Sequence, residues 1–522
     1  MLDLLLVGGR FTTLDPARPR ASALGVWRGR VVGLDEQVTR LPARRVVDLR
    51  GAVVLPAFVD PHVHLAWTGL AAGTASVAAA TSVPELLAAV GAAAAARPAG
   101  EWVDVVGYDQ RRLARHVTAA ELDTVAAGRR VNLVHDSGHA CVVDSSVLAL
   151  LPTGTAHRDG LLVEAGAGLV RELRQPYALS ELVAAVERAG TQCLAEGITA
   201  VAEAGIGGGL IRHSPVELDA YQRAEEQGRL PLRVRLMVAG SLLRPVAAHG
   251  TDHTPRAMDL GLRTGFGGDR LSLGALKVFT DGGMMARTAA LTEPYVGEAG
   301  AGELYAPADE LRAVIVDGHR AGWQLAVHAI GDRAVDVALD AIEAAQTTHP
   351  RPTARHRIEH AGLVRPDQLP RFATLGVTPV LQPTFLWSFG DDYARIMGAH
   401  RAPWLYRGQS FVDEGVRLVG SSDRPVTVGA PLRAMQFLLD RTSALGTVVG
   451  PAEAVTPATA VHAYTTEAAW SCHWEDDLGA LTPGSLADLV VLTADPHHVP
   501  PAEIGVRATA VAGEVVWGEE LF

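Results

Sequence analysis

The hydrophobic positions of the chain fall into three regimes. From residue 1 to about 56, short β-like runs such as LDLLLVGG, ALGVWRGRVVGL and RRVVDLRGAVVL are cut by Gly, Pro and Asp turn signals. Similar runs return in ADLVVLTADP, RATAVAGEVVW and the segment to Phe522. The two terminal sets predict one small composite β-sandwich, residues 1–56 with 478–522. Between them, apolar strands alternate with long amphipathic helices. Ser180–Gly197 reads as a helix with a Ser start and a Gly stop ahead of the strand ITAVAEAG. The segments ALKVFTDG, GWQLAVHAIG, ARHRIEHAG, GVTPVLQPTF and VRLVGSSDRP repeat the order of strand, polar strand end and helix. This is the α/β pattern of a (β/α)8 TIM-like barrel, here over 57–477. The interval between the first strand and the strand near residue 200 is too long for one helix, which predicts an insertion after the first barrel strand, about 66–178.

A barrel of this kind carries its chemistry at the C-terminal ends of its strands. Polar residues interrupt the apolar runs at His62 and His64 after VVLPAFVD, at Lys277 in ALKVF, at His328 after WQLAV, at His360 after HRIE and at Asp423 after VRLVGSS. His62 and His64 lie two apart on a strand, so they share a face and sit about 6.5 to 7 Å apart along it, a spacing that suits two ligands on one metal. Imidazole and carboxylate donors without thiolates suit zinc first, with iron or manganese as alternatives.

Composition narrows the partners. The 522 residues carry a formal net charge of −12 and no basic run beyond arginine pairs, which argues against nucleic acid or an anionic membrane as partner. Cys141, Cys193 and Cys472 are odd in number and far apart, indicating neither a disulfide framework nor a thiolate zinc site and favouring a cytoplasmic home. The uncharged stretch from Leu65 to Pro84 is mostly Ala, Gly, Ser and Thr, too weakly apolar to span a membrane, and Ser82-Val-Pro-Glu85 offers a capping box. Lys277 is the only lysine in the chain. A buried lysine can lose its proton and add carbon dioxide to become an anionic two-oxygen ligand, whereas arginine stays protonated. A carbamate or a metal-facing amine therefore explains Lys277 better than a buried salt bridge, which arginine would serve.

The residues in this order resemble the metal-dependent amidohydrolase superfamily, in the branch similar to N-substituted formamide deformylase. PAFVDPHVHL resembles its first-strand metal motif, ALKVFTDGGMMARTAAL its lysine strand, AVHAIGDRAVD and RIEHA its later histidine motifs, SSDRPV its aspartate motif and LTPGSLADLVVL its closing segment. The resemblance implies His62, His64 and Asp423 on one divalent metal, His328 and His360 on a second, and Nζ-carboxylated Lys277 between them. It implies hydrolysis of a non-peptide carbon–nitrogen bond, amide, N-acyl or N-formyl, in a small molecule by metal-activated hydroxide. Asp423 would take the proton and pass it to the departing nitrogen. Two other readings stand beside it. One is a deaminase of an aminated heterocycle, which generally lacks the lysine; the other is a non-catalytic binding barrel, which usually lacks ligands. A homodimer is the symmetric default.

Weaker signals concern substrate contacts. His139 in LVHDSGHACVVDSSVL stands where the family often has a histidine, implying a substrate or oxyanion contact, with a structural histidine as the equal reading. Arg287, after the lysine strand, reads as ordering the site or binding a substrate anion, with a scaffold salt bridge as the equal reading. Tyr108 and Asp109 read as pocket-facing or, by default, as an exposed loop. Phe385, Trp387 and Phe389 either line an apolar pocket or pack. The chain departs from the family pattern in Met284-Met285, in Arg424 directly after the aspartate and in Ala57; the first two would reshape the substrate pocket.

Overall fold

The computed structural model describes residues 1–135, 140–163, 165–208 and 216–518. Eight parallel strands form one nearly closed barrel: β1 (Phe58–Val63), β2 (Ile198–Ile206), β3 (Arg233–Ala239), β4 (Leu271–Phe279), β5 (Leu325–Ala329), β6 (Arg357–His360), β7 (Thr378–Leu381) and β8 (Val419–Gly420), each hydrogen-bonded to the next in this order. Every residue of β1, β2, β5, β6 and β7 is buried, as expected of parallel strands covered on both faces. The seam between β8 and β1 is closed just beyond the strand ends, where Asp423 N donates to His62 O at 2.8 Å and His64 N donates to Arg424 O at 2.9 Å. The same residues that carry the candidate chemistry thus complete the ring.

One apolar cluster joins Val59, Ala200, Ala202, Met237, Ala275, Ala326, Val380 and Val419 from seven of the strands, with Ala468, Cys472 and Trp474 beyond them. The eighth strand, β6, contributes Arg357, 1% exposed, whose guanidinium donates to Glu359, Pro61 O and Cys472 Sγ. A buried cation is tolerated only when so paired.

Strands from both ends of the chain share a second core. A four-stranded sheet runs in the order 30–34, 24–27, 2–7, 43–48, and a six-stranded sheet in the order 514–518, 506–511, 489–492, 53–56, 10–12, 20–21. Leu6, Val26, Val54, Leu489 and Ala508 pack together between them.

The chain divides into two compact units: Met1–Leu65, Ala189–Gly209 and Tyr221–Phe522 form one, and Ala66–Arg188 with Leu210–Ala220 the other. The second unit is built on a five-stranded sheet whose central strands, Trp102–Tyr108 and Arg130–His135, run parallel. Its helix Val83–Ala95 starts at Ser82, whose side chain accepts from Glu85 N, but the Glu85 carboxylate reaches Thr81 instead of closing a reciprocal box on Ser82. The helix expected from Ser180 begins one residue earlier, at Leu179. Among the described residues no helix is long and apolar enough to cross a membrane.

Candidate metal centre

β1 ends in His62-Val63-His64, and the turn after β8 brings Asp423 against both imidazoles. Asp423 Oδ1 lies 3.0 Å from His64 Nε2 and 3.3 Å from His62 Nε2, and one ligand atom from each of the three residues lies within 4.8 Å of the others. Lys277 on β4 points its Nζ to 3.4 Å from His62 Nε2 and lies 4.9 Å from the Phe279 ring centroid. Its stem fits against Gly205 of β2, which has φ +113°; a Cβ there would lie 3.3 Å from Lys277 Cγ. Lys277 is 1% exposed, and burial pulls its pKa down to about 8, against the attraction of Glu359 and Asp423. A sizeable fraction of neutral amine follows near neutral pH.

His328 and His360 form a second pair, with ring centroids 4.5 Å apart, and the His360 ring is 5.1 Å from that of His62. Burial, reinforced by the Lys277 charge, pushes His328 down to about 3, and burial beside His328 holds His360 well below the usual imidazole range. Both are therefore neutral at physiological pH, the form that ligates metals. His360 has φ +72° and Asp423 φ +56°, left-handed values that cost non-glycine residues of order 1–3 kcal/mol each. Strain at two side chains of one cluster marks a geometry held by its surroundings.

Four buried carboxylates that sequence reading passed over set these side chains in place. Glu359 takes a hydrogen bond from His62 Nδ1 while Arg357 Nε donates to its other oxygen at 2.6 Å; burial would raise its pKa, but Arg357 and His62 hold it far below the normal range. Glu203 on β2 accepts from Leu65 N at 2.6 Å and Tyr221 OH at 2.5 Å, fixing the chain directly after His64. Asp60 accepts from Ser422 N at 3.1 Å, tying β1 to the aspartate turn, and burial pushes it up to about 6. Asp281 accepts from Ala290 N, Ile330 N and Gly331 N at 2.9, 3.1 and 2.8 Å, and its Oδ1 is 3.4 Å from His328 Nε2. The signal was present in VVLPAFVD, ITAVAEAG, HRIEHA and KVFTDGG: an acid inside an apolar run must have a buried partner.

The donor set fits a cation. Since ionised Glu359 can only accept, His62 carries its proton on Nδ1 and presents the Nε2 lone pair inward. Asp423 Oδ1 is buried and has no partner of hydrogen-bond geometry, and His360 Nδ1 is likewise unpartnered. Burial would raise Asp423, but His62 and His64 hold it well below the usual carboxylate range, so it faces them as an anion. Converging lone pairs on buried atoms are what a bound cation would satisfy.

The remaining candidates fall elsewhere. His139 lies outside the described residues. Tyr108 is not on an exposed loop: it ends a strand in the core of the second unit, fully buried, its hydroxyl bonded to His116. Asp109 beside it is also buried. Arg424 is not a pocket residue either; at 2% exposure it pairs with Glu196, contacts Cys193 Sγ at 3.4 Å and serves the scaffold. Arg287 pairs with Glu298 in the loop after β4. Trp387 is half-buried under Arg433, 5.1 Å from its ring, whereas Phe385 is the aromatic that meets the cluster, 6.1 Å from the His360 centroid. Met284 is buried and Met285 exposed, so only one of the pair reaches solvent.

A parallel barrel with imidazoles, a lysine and a carboxylate converging at its C-terminal rim is the frame of a barrel metal centre. A family model described as amidohydrolase family matches residues 45–517, and the chain belongs to that family. It is 28% identical to N-substituted formamide deformylase of Arthrobacter pascens, over 97% of this chain and 96% of that protein. Among solved structures it resembles an uncharacterized metal-dependent hydrolase from Pyrococcus furiosus, with a TM-score of 0.79 and 30% identity over 95% of this chain and 99% of that one. Another from Pyrococcus horikoshii has the same TM-score at 28% identity, covering 96% and 99%. Family and neighbours support a hydrolase that uses a divalent metal.

Proposed function

We propose that the chain hydrolyses a non-peptide carbon–nitrogen bond, amide, N-acyl or N-formyl, in a small molecule. The observation that carries this reading is Asp423 Oδ1, buried, anionic and unpartnered, set between His62 and His64 beside a lysine with a depressed pKa. His62, His64 and Asp423 would hold one divalent ion, zinc by donor type, and His328 with His360 a second. When bound, such ions supply Lewis-acid polarisation and make water nucleophilic at neutral pH.

The chain's own residues do the rest. Neutral Lys277 Nζ, 3.4 Å from His62 Nε2, would add carbon dioxide, forming an N–C bond and losing a proton, and so supply an anionic two-oxygen group to the cluster. Asp423 Oδ1 accepts a proton from the attacking water and returns it to the departing amine nitrogen. Glu359 keeps the His62 lone pair aimed inward. Phe385 supplies an apolar wall beside His360. The strands of both termini read as one composite sandwich, 1–56 with 478–522, attached to the barrel. The three cysteines are free and buried, which supports a reducing, cytoplasmic setting.

The test is metal analysis of the purified protein combined with a turnover screen over N-formyl amines, N-acyl amines and cyclic amides. Between one and two divalent ions per chain, with release of amine from at least one class, is expected. Folded protein with no affinity for zinc, iron or manganese would overturn the reading.

A further inference from the structure

Tyr406 lies between β7 and β8, in the segment that follows the helix Pro383–Arg401. Its backbone is held from both sides. Tyr406 N donates to Gly362 O at 2.9 Å, two residues past His360, and Tyr406 O accepts from Arg441 Nη1 at 2.9 Å. Arg441 is itself fully buried and also donates to Leu405 O at 2.9 Å, while Leu405 bridges to Leu363. Tyr406 is kept at φ +42°, a left-handed value that a tyrosine adopts only where its surroundings impose it. The fold thus pins this residue beside the end of β6.

The Tyr406 ring is buried and lies nearly parallel to Phe385, with centroids 6.0 Å apart and planes 14° apart; Phe385 in turn meets the His360 ring. Packing alone would be served by a second phenylalanine, which brings no polar atom into the core. The tyrosine brings a hydroxyl that is buried and has no hydrogen-bond partner among the described residues. Burial pushes its pKa well above the usual phenol range, and Tyr393, Asp423 and Asp281 act in the same direction, so the group stays protonated and offers a donor. The two carboxylates whose charge reaches it are the one beside His62 and His64 and the one beside His328. Asp423 Oδ1 is sealed and unpartnered too, but it is an acceptor, which a cation would satisfy. A cation leaves a donor unmet. Completing Tyr406 takes an oxygen.

We propose that Tyr406 is a catalytic hydrogen-bond donor: its hydroxyl meets the carbonyl oxygen of the bond to be cleaved and holds that oxygen as negative charge builds on it. The assignment rests on the hydrolytic reading above. A donor contributes most to a reaction when it is already in place and water is excluded, and the pinned backbone with the parallel Phe385 ring supplies that rigidity. The hydroxyl is buried and unsatisfied before substrate arrives, so the ligand-free protein carries its desolvation cost and the substrate oxygen relieves it.

The experiment compares wild type with Tyr406→Phe, which removes one oxygen and keeps the ring, in the full-length, zinc-loaded protein. Calorimetric titration with dimethylphosphinate, a small tetrahedral anion with two oxygens and no carbon–nitrogen bond, reads the donor without turnover. The variant should bind it about 10- to 100-fold more weakly, with zinc affinity unchanged and an unfolding midpoint not below that of wild type. On an amide found by the turnover screen, kcat should fall about 10²- to 10³-fold with little change in KM. Phosphinate binding that depends on Tyr406, in a protein that cleaves none of the screened amides, would sink the hydrolytic reading and leave the donor standing. A lower midpoint or a loss of zinc affinity in Tyr406→Phe would show the hydroxyl serving the scaffold or the metal ligands, and would overturn the proposal. No phosphinate binding by wild type, or equal binding by both proteins, would overturn it as well.

Discussion

Glu359 of β6 accepts a hydrogen bond from His62 Nδ1 of β1, and neither side chain reaches solvent. The bond fixes one tautomer of His62 and leaves Nε2 as the inward donor atom. Glu359→Gln should lower divalent-metal affinity about 10- to 100-fold, measured by competition with a chromophoric chelator. It also leaves Arg357 as an uncompensated buried charge, at a cost of about 3–5 kcal/mol in stability, so affinity is compared where circular dichroism shows the variant folded. Unchanged affinity would mean that something other than Glu359 sets the tautomer.

Lys277→Arg keeps the charge and removes the capacity to form a carbamate. Turnover should be lost together with at least one metal per chain, read by plasma mass spectrometry of the desalted protein. An active arginine variant would exclude the carbamate.

Asp423→Asn should leave the fold largely intact, since the backbone bonds at the barrel seam do not involve its side chain. Proton transfer, however, loses its carrier, and kcat should fall about 10²- to 10⁴-fold. Pre-steady-state amine release at the wild-type rate would assign the proton to another group.

Stripping the metal should lower the unfolding midpoint without dissolving the fold, because the barrel has its own apolar core. Restoring the ion at a hundredfold excess over Kd should return about 2.7 kcal/mol. A midpoint indifferent to chelator and to added zinc would argue against a resident ion.

Acid should destabilise the protein through histidines remote from the metal ligands. Burial, with Arg355 and Arg235 nearby, pushes His473 down to about 4, and burial lowers His356 and His319 as well. Folded, these rings bind fewer protons than they do unfolded, so protonation favours the unfolded chain. Their contribution is complete above pH ~6.5 and is lost as the pH falls toward about 4. Urea unfolding at steps from pH 7.5 to 4.5 should show this decline, and His473→Asn, a residue tolerant of the φ of +55° found there, should make it shallower.

Much of this fold and site could be read from the chain. His62, His64, Lys277, His328, His360 and Asp423 are legible because each breaks an apolar run at a strand end, where a barrel keeps its chemistry. Glu359 and Asp281 were equally visible as letters, but their meaning depends on which strand stands alongside, and local pattern does not encode that. Arg424 shows the same limit: its partner Glu196 lies 228 residues away, and only the folded barrel reveals that the guanidinium is turned into the scaffold. Tyr108 was misjudged because turn-like neighbours in VGYDQRRL hid a strand end whose burial is set by the second unit's own core.

A solitary lysine, sealed at 1% exposure, also makes this molecule its own gauge. An amine-directed reagent meets only the chain-terminal amine on native protein, and a second equivalent can enter only when the barrel rim opens around Nζ. Because a carbamate would shield the nitrogen as well, the stoichiometry of labelling, followed in intact mass, reads the opening of the metal centre together with loss of carbon dioxide from Nζ, with no engineered probe.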